Sequence, residues 1–294
     1  MKKVILSDIS SRLYTLSSDK DRTTLSRIGK QGQMCFKKFD KTYVEGLKSG
    51  GIDIEKKISD SETFILPKEI VSPSSLVYLP SGEFTGYCMP YVEGKSLREH
   101  AKVFLSLDEI TEIYRKLERI VKGSSDFVFP DLCNLDNIVI SPKGIRLIDY
   151  DGMQTGKHMS SSISFNLCGS TGGIFNDILD NKKYCVDGLF TKNLDKKSLA
   201  FLYVLITFGI NLGDVASLKD ENDRRIVLKG ICQLQGISGT SLEAKLENMF
   251  FSHNDDEYIG QDVLDIKSSY TVGFESSVAP NGQRISYRKL KLRK

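Results

Sequence analysis

Long apolar runs are missing from this chain. A bilayer-spanning helix needs about 20 consecutive apolar residues; no such stretch occurs, so no membrane span is expected. The N-terminal MKKVILSDIS carries basic residues, but its apolar run stops after three, too short for a signal peptide. A strong excess of one charge is missing too. Lys and Arg total 41 against 38 Asp and Glu, a net charge of +3. Nucleic-acid binders usually concentrate a basic face, so no nucleic-acid partner is expected. The six cysteines (Cys35, Cys88, Cys133, Cys168, Cys185, Cys232) form no Cys-x-x-Cys pair, and several sit inside apolar runs. That argues against a zinc site or disulfide frame and for reduced core thiols in a cytoplasmic protein. The three histidines, His100, His158 and His253, stand far apart in unrelated contexts, which argues against a histidine-built site.

What is present is an ordinary globular composition, 294 residues with 40% hydrophobic and 27% charged, enough for one large domain or two lobes. Residues 1–93 read mainly as strands: 12–16, 23–28 and 34–39, then 76–79 and 87–92 as a hairpin around Pro80-Ser81-Gly82. Between them, 44–61 is polar and weakly helical, with Ile54-Glu55-Lys56-Lys57-Ile58 its best turn. From Glu93 the pattern turns helical. Ser106 with Glu109 is a capping box, and Ile110, Ile113, Tyr114, Leu117, Ile120 and Val121 follow at helical spacing. Residues 152–194 show no period and are rich in Ser and Gly, which predicts a long loop of the kind that is often functional. Its Ser160-Ser161-Ser162 run reads as flexible or as a phosphorylation segment. SLAFLYVLITFGINL (198–212) is apolar on all faces and predicts a buried helix; the last ten residues, ISYRKLKLRK, read as a solvated basic tail.

The densest cluster of polar chemistry is FVFPDLCNLDNIVISPKGIRLIDYDG (127–152). Ile138-Val139-Ile140 and 145–148 are strands joined by Ser141-Pro142-Lys143-Gly144, a hairpin turn. A hairpin brings its outer ends together, so Asp131 and Asn137 before it and Asp149 and Asp151 after it are expected to converge. Oxygen donors so grouped suit a hard cation such as Mg²⁺ held on nucleotide phosphates. The bland alternative is that these are turn and cap residues, a role Asp and Asn favour. For Asp151 in particular, a turn residue and a second acid of the metal loop both fit.

Five segments, in order, resemble the protein-kinase family. Met34-Cys35-Phe36-Lys37 is similar to its VAxK strand, and 87–97 (YCMPYVEGKSL) to its hinge run. Asp131-Leu132 followed by Asn137-Ile138-Val139-Ile140 is similar to the catalytic loop, Leu147-Ile148-Asp149-Tyr150-Asp151 to the LxDFG segment, and Asp195 stands where the family ties its buried helix to that loop. The likeness covers residues 12–250. It implies an α+β, bilobal, kinase-like fold, with a β-rich lobe over 1–93 and a mainly helical lobe over 94–294. It further implies a kinase using ATP and Mg²⁺ to phosphorylate a hydroxyl, with protein Ser/Thr as the expected substrate. Lys37 would pair the phosphates, held by Glu55 or by the nearby Glu62. Met89 would be the gatekeeper, and the backbone of Pro90, Tyr91 and Val92 would face adenine. Asn137 and Asp149 would hold metal, and Asp131 would accept the hydroxyl proton.

The sequence departs from the family pattern at several points. Phe129 replaces the catalytic-loop histidine, Asp131 to Asn137 spans six positions instead of five, and Cys133 replaces a lysine. Gly29-Lys30-Gln31-Gly32 lies too close to Lys37 to be the phosphate loop; counting back one strand places that loop at 17–22, which lacks glycine, so Lys20 and Arg22 would supply charge instead. These departures keep three alternatives open: a pseudokinase scaffold, a small-molecule kinase, and an AMP-transferring enzyme.

Overall fold

Among the described residues, short strands punctuated by turns dominate the first third of the chain, and the longer helices lie after it. The structure is a computed structural model that describes residues 1–19, 22–102, 105–160, 182–209, 215, 218, 220–248, 251, 258–278 and 284–293. The architecture is α+β in two units. One comprises Met1–Leu97 and Asp136–Ile163, the other Arg98–Leu135 and Ser164–Lys294. The first unit thus runs past residue 93 and includes the hairpin strands at 138–147.

The chain opens with β1 (Lys2–Ile5), α1 (Ser7–Ser10), β2 (Leu13–Asp19), β3 (Thr23–Ile28) and β4 (Met34–Phe39). Helices α2 (Lys41–Ser49) and α3 (Ile54–Ser59) follow, capped by Asp40 and Asp53, whose carboxylates accept the backbone N–H of Thr42 and Lys56 at 2.9 Å each. Next come β5 (Ser75–Tyr78), β6 (Phe84–Pro90) and β7 (Lys95–Ser96). Six of these strands form one sheet in the order β1-β5-β6-β4-β3-β2. Strand β1, too short to read from its pattern, adds in parallel beside β5.

Alternation in β4 and β6 sorts residues between the two sheet faces. Cys35 and Phe39 join Tyr87, Met89, Leu47, Ile54 and Ile58 in one buried cluster, whereas Phe36 and Cys88 join Ile9 and Val77 in another. The same period puts Lys37 on the face covered by α3 and leaves Lys38 exposed. At Gly86 the sheet is tight: a Cβ there would lie 2.1 Å from the Lys37 carbonyl oxygen.

After α4 (Leu97–Lys102) comes α5 (Leu107–Lys122), whose capping box is formed as the sequence predicts, with the Ser106 hydroxyl accepting Glu109 N–H and Glu109 accepting Ser106 N–H. Strand β8 (Phe127–Val128) precedes the return to the first unit, where β9 (Ile138–Ser141), β10 (Gly144–Leu147) and β11 (Gln154–Thr155) lie. The second unit resumes with the ladder β12 (Cys185–Val186)/β13 (Leu189–Phe190), so the predicted long loop is partly structured; 161–181 lie outside the described residues. The apolar helix is α6 (Lys192–Phe208), buried along most of its length, with Tyr203 edge-on to Tyr114 of α5 at 5.7 Å between ring centroids. Then follow α7 (Glu221–Gln235), α8 (Ser241–Glu247), α9 (Gly260–Ser269) and a hairpin of β14 (Tyr270–Val278) with β15 (Arg284–Leu292). The basic C-terminus is therefore not a solvated tail. Arg288 and Leu290 are buried, and the Arg288 guanidinium donates to the Ile206 carbonyl at 2.6 Å. Strand alternation over 288–291 buries Arg288 and Leu290 and exposes Lys291, which a count of the segment's charges conceals. Among the described residues, no helix is long and apolar enough to cross a membrane.

Candidate functional site

The hairpin forms as its sequence dictates. Strands β9 and β10 pair antiparallel with Ser141 opposite Gly144, whose φ of +100° only glycine adopts freely. At the open end, Ile148 N–H donates to the Asn137 carbonyl at 2.9 Å. That contact sets the Asn137 amide 3.4 Å from one Asp149 carboxylate oxygen. Asp149 itself adopts left-handed backbone angles (φ 73°, ψ 50°), uncommon for non-glycine residues but tolerated by Asp and Asn.

Lys37 of β4 meets this turn. Its ammonium donates to Asp149 Oδ1 and, at 2.7 Å, to Asp151 Oδ1. Asp151 Oδ1 also accepts the Tyr87 hydroxyl of β6 at 2.8 Å. Below them Lys57 of α3, fully buried, donates to the carbonyls of Asp151 (2.7 Å), Met159 (2.9 Å) and Met153. Two lysines, two aspartates and a tyrosine thus share one partly enclosed cluster.

The electrostatics follow from that geometry. Burial alone would lower the Lys37 ammonium; the Asp149 and Asp151 carboxylates outweigh it and hold Lys37 above its ordinary value. Burial pushes Asp151 up, but Lys37, the Tyr87 hydroxyl and Lys57 hold it below the usual carboxylate range. Asp149 is raised, first by burial and then by the Asp151 charge beside it. Asp151 is therefore the ionised partner of Lys37, and Asp149 the carboxylate whose charge is less well compensated. Asp149 is also the reachable one: 21% of its side chain is exposed against 2% for Asp151. Burial draws Lys57 down to about 7, against the pull of Asp151 and Asp149 in the other direction.

Several sequence expectations need correction. Glu55 does not hold Lys37; it accepts the Tyr78 hydroxyl at 2.7 Å. Glu62 does not either, since it pairs with the N-terminal ammonium at 2.7 Å. Asp151 is neither a turn filler nor a metal-facing acid, because its carboxylate is turned inward to Lys37 and Tyr87. Lys57 escaped notice altogether; in the polar string Glu55-Lys56-Lys57 only the three-dimensional path of α3 distinguishes the buried lysine from its exposed neighbour. The one available signal was Lys57's position three residues after Ile54, on the apolar side of a short amphipathic turn.

Other expected site residues have definite places. Met89 is buried in the cluster that contains Tyr87 and Phe39. Pro90 has no N–H to offer, and Tyr91 N–H is committed to the Gln33 carbonyl at 2.7 Å. The Arg27 guanidinium stacks over the Tyr91 ring at 3.9 Å. Pro90, Tyr91 and Val92 line a cavity of about 380 Å³ shared with Lys68, Lys143 and Arg146; neither Lys37 nor Asp149 borders it. At the predicted phosphate loop, Arg22 bonds through its backbone to Asp19 and Asp40, and Lys20 lies outside the described residues. Ser160 is buried, its hydroxyl donating to the Gly152 carbonyl at 2.6 Å; Ser161 and Ser162 lie outside the described residues.

Asp131 belongs to the second unit. There its carbonyl accepts Asn134 N–H at 3.1 Å, and its carboxylate accepts the Asn134 amide at 3.3 Å. Two residues earlier, Phe129 N–H donates to Asp195 Oδ1 at 2.7 Å, so the helix aspartate does anchor this loop. Lys192 supports the same corner, reaching Asp195 and the carbonyls of Val121, Ser124 and Phe127.

Among the described residues no group of three or more His, Cys, Asp or Glu side chains is placed to hold a metal by itself. Asn137 and Asp149 do supply adjacent hard oxygen donors, the kind of incomplete set a Mg²⁺ ion accepts when phosphates and water complete its shell. The donor chemistry therefore fits such an ion, provided Lys37 shares or yields Asp149. No protein-family model matches the chain, and no curated protein matches it.

Proposed function

We propose that the chain is a phosphotransferase with a bilobal, protein-kinase-like architecture, transferring the γ-phosphoryl group of ATP to a hydroxyl, with a protein Ser/Thr as acceptor. The observation that carries this reading is the meeting of Lys37, from β4, with Asp149, from a hairpin 112 positions later, beside the Asn137 amide. A strand lysine facing a carboxylate–amide pair is the arrangement that phosphoryl transfer asks of a protein, which mainly positions groups and neutralises charge.

On this reading Lys37 contacts the phosphates, while Asn137 and Asp149 hold Mg²⁺, which supplies charge neutralisation to the phosphates when bound. Val92 is the hinge donor for the adenine edge, because Pro90 lacks an N–H and Tyr91 N–H is already taken by Gln33. Asp131 orients the acceptor hydroxyl and takes its proton. The Phe129–Asp195 bond supports this role by fixing the backbone just before Asp131.

The absence of glycine over 17–22 favours a second reading, a nucleotide-poor scaffold, and one experiment decides between them. The full chain is incubated with Mg-ATP, its thermal midpoint followed and its intact mass recorded. A stabilised midpoint with a gain of one phosphate, on the chain or on an added Ser/Thr substrate, supports the proposal. A gain of AMP assigns the site to nucleotidyl transfer, and no shift at millimolar nucleotide refutes both transfer readings and favours the scaffold.

A further inference from the structure

The loop after β10 carries a carboxylate that phosphotransfer of the proposed kind does not call for, and α3 carries, besides Glu55, a buried cation, Lys57. Both are accounted for together. Lys37 has no contact with Glu55 or Glu62, whose carboxylates serve Tyr78 and the N-terminal ammonium. Its buried partner is Asp151, 2% exposed, whose Oδ1 also accepts the Tyr87 hydroxyl. The backbone that carries Asp151 is gripped from α3 by Lys57, which bridges the carbonyls of 151, 153 and 159 with one ammonium.

We propose that Asp151 is the positioning residue for Lys37, and that Lys57 acts from α3 by fixing the loop on which Asp151 stands. The proposal rests on the phosphate-binding role given to Lys37 above. It reverses the expected polarity: the helix contributes the cation and the loop contributes the acid. Because Asp149 and Asp151 sit two residues apart, the metal-facing acid and the lysine's anchor move as one piece. Placement of Lys37 therefore does not depend on an acid carried by the helix. A free ammonium at Lys57 would be costly in so dry a place; the three carbonyls offset that cost and tie residues 151–159 to α3.

The test is made on the nucleotide-free full chain, so it does not depend on phosphotransfer. Lysines are acetylated with a trace of acetic anhydride and each site is quantified by peptide mass spectrometry. Lys192, a lysine of the second unit held by three carbonyls, serves as the internal reference. In Asp151→Asn the Lys37 signal rises at least about tenfold while Lys192 is unchanged, because loss of a carboxylate partner frees the amine. In Glu55→Gln and Glu62→Gln both signals stay at wild-type values. An unchanged Lys37 in Asp151→Asn, an equal rise at Lys192, or a rise at Lys37 in either glutamine variant overturns the proposal. The glutamine variants keep it decidable should Asp151→Asn not fold. Absence of a Mg-ATP effect in the wild type would refute the phosphotransferase reading and leave the labelling result standing.

Discussion

Replacing Lys57 by methionine tests the buried cluster most directly. The substitution keeps the length and most of the volume of the side chain and removes only its ammonium. Three carbonyls, of Asp151, Met153 and Met159, then lose a charged donor. At about 1.5 kcal/mol net for each such bond, the gross loss is roughly 4–5 kcal/mol. Relief of the ammonium's desolvation returns part of this, leaving a net loss of about 3 kcal/mol. The measurement is amide hydrogen exchange at pH 6, below the value of about 7 to which burial draws Lys57, so that the wild-type group is protonated. A loss of about 3 kcal/mol corresponds to exchange roughly 100-fold faster at the most protected amides of β4 and β6. The neighbouring Lys56, whose side chain is 61% exposed and pairs with Asp60, is the control, and Lys56→Met should change exchange by less than about threefold. If Lys57→Met behaves like Lys56→Met, the carbonyls do not depend on the ammonium and the account of α3 is wrong.

Asp195 gives the chain a pH signature. Burial raises it to about 6, against the pull of Lys192 and the Phe129 N–H, so the folded form holds a proton that the unfolded form releases near 3.8. Its contribution is fully present below about pH 3.8 and lost as pH rises through 6, a fall of roughly 3 kcal/mol. Urea midpoints at pH 4 to 7 should therefore fall less steeply in Asp195→Asn than in wild type; parallel profiles would refute the assignment. Gly86→Ala brings a methyl group 2.1 Å from the Lys37 carbonyl oxygen, so β4 and β6 must separate behind the lysine. Expected is a loss of about 3 kcal/mol by urea denaturation, and a change under about 0.5 kcal/mol would count against the register.

Local chemistry made much of this legible in advance. Pro142-Lys143-Gly144 between β-branched runs reads as a turn, and of the four donors expected to converge at its ends Asn137 and Asp149 lie side by side. Ser106 and Glu109 announced the start of α5, and the all-round apolarity of 198–212 announced a buried helix, found as α6. Three features were illegible because partners distant in sequence decide them. The worth of Asp151 depends on Tyr87, Lys37 and Lys57, separated from it by 64, 114 and 94 positions. Lys57 sits in a helix of six residues, too short to establish a period. The C-terminal strand carries so much Lys and Arg that its charge masks an alternation which buries Arg288 and Leu290. Glu55 misled for the converse reason: a carboxylate on a nearby helix is a composition-level match, and α3 turns it toward Tyr78.

The exposure difference between the two carboxylates decides how a ligand would enter. Lys37 and, below about pH 7, Lys57 set two positive charges against Asp149 and Asp151. A phosphate group arriving at Lys37 competes with whichever carboxylate is more easily surrendered. Asp151 is enclosed, holds Tyr87 as well, and is fixed through its own carbonyl by Lys57. Asp149 is partly open, raised by burial and by Asp151, and next to Asn137. On the proposed reading, then, nucleotide binding exchanges the Lys37–Asp149 contact for Lys37–phosphate and Asp149–Mg²⁺ contacts and leaves Lys37–Asp151 intact. Asp149→Asn should accordingly weaken Mg-ATP binding while leaving Lys37 acetylation in the free chain far below that of Asp151→Asn. Equal acetylation in the two variants would mean that both aspartates share the anchoring role.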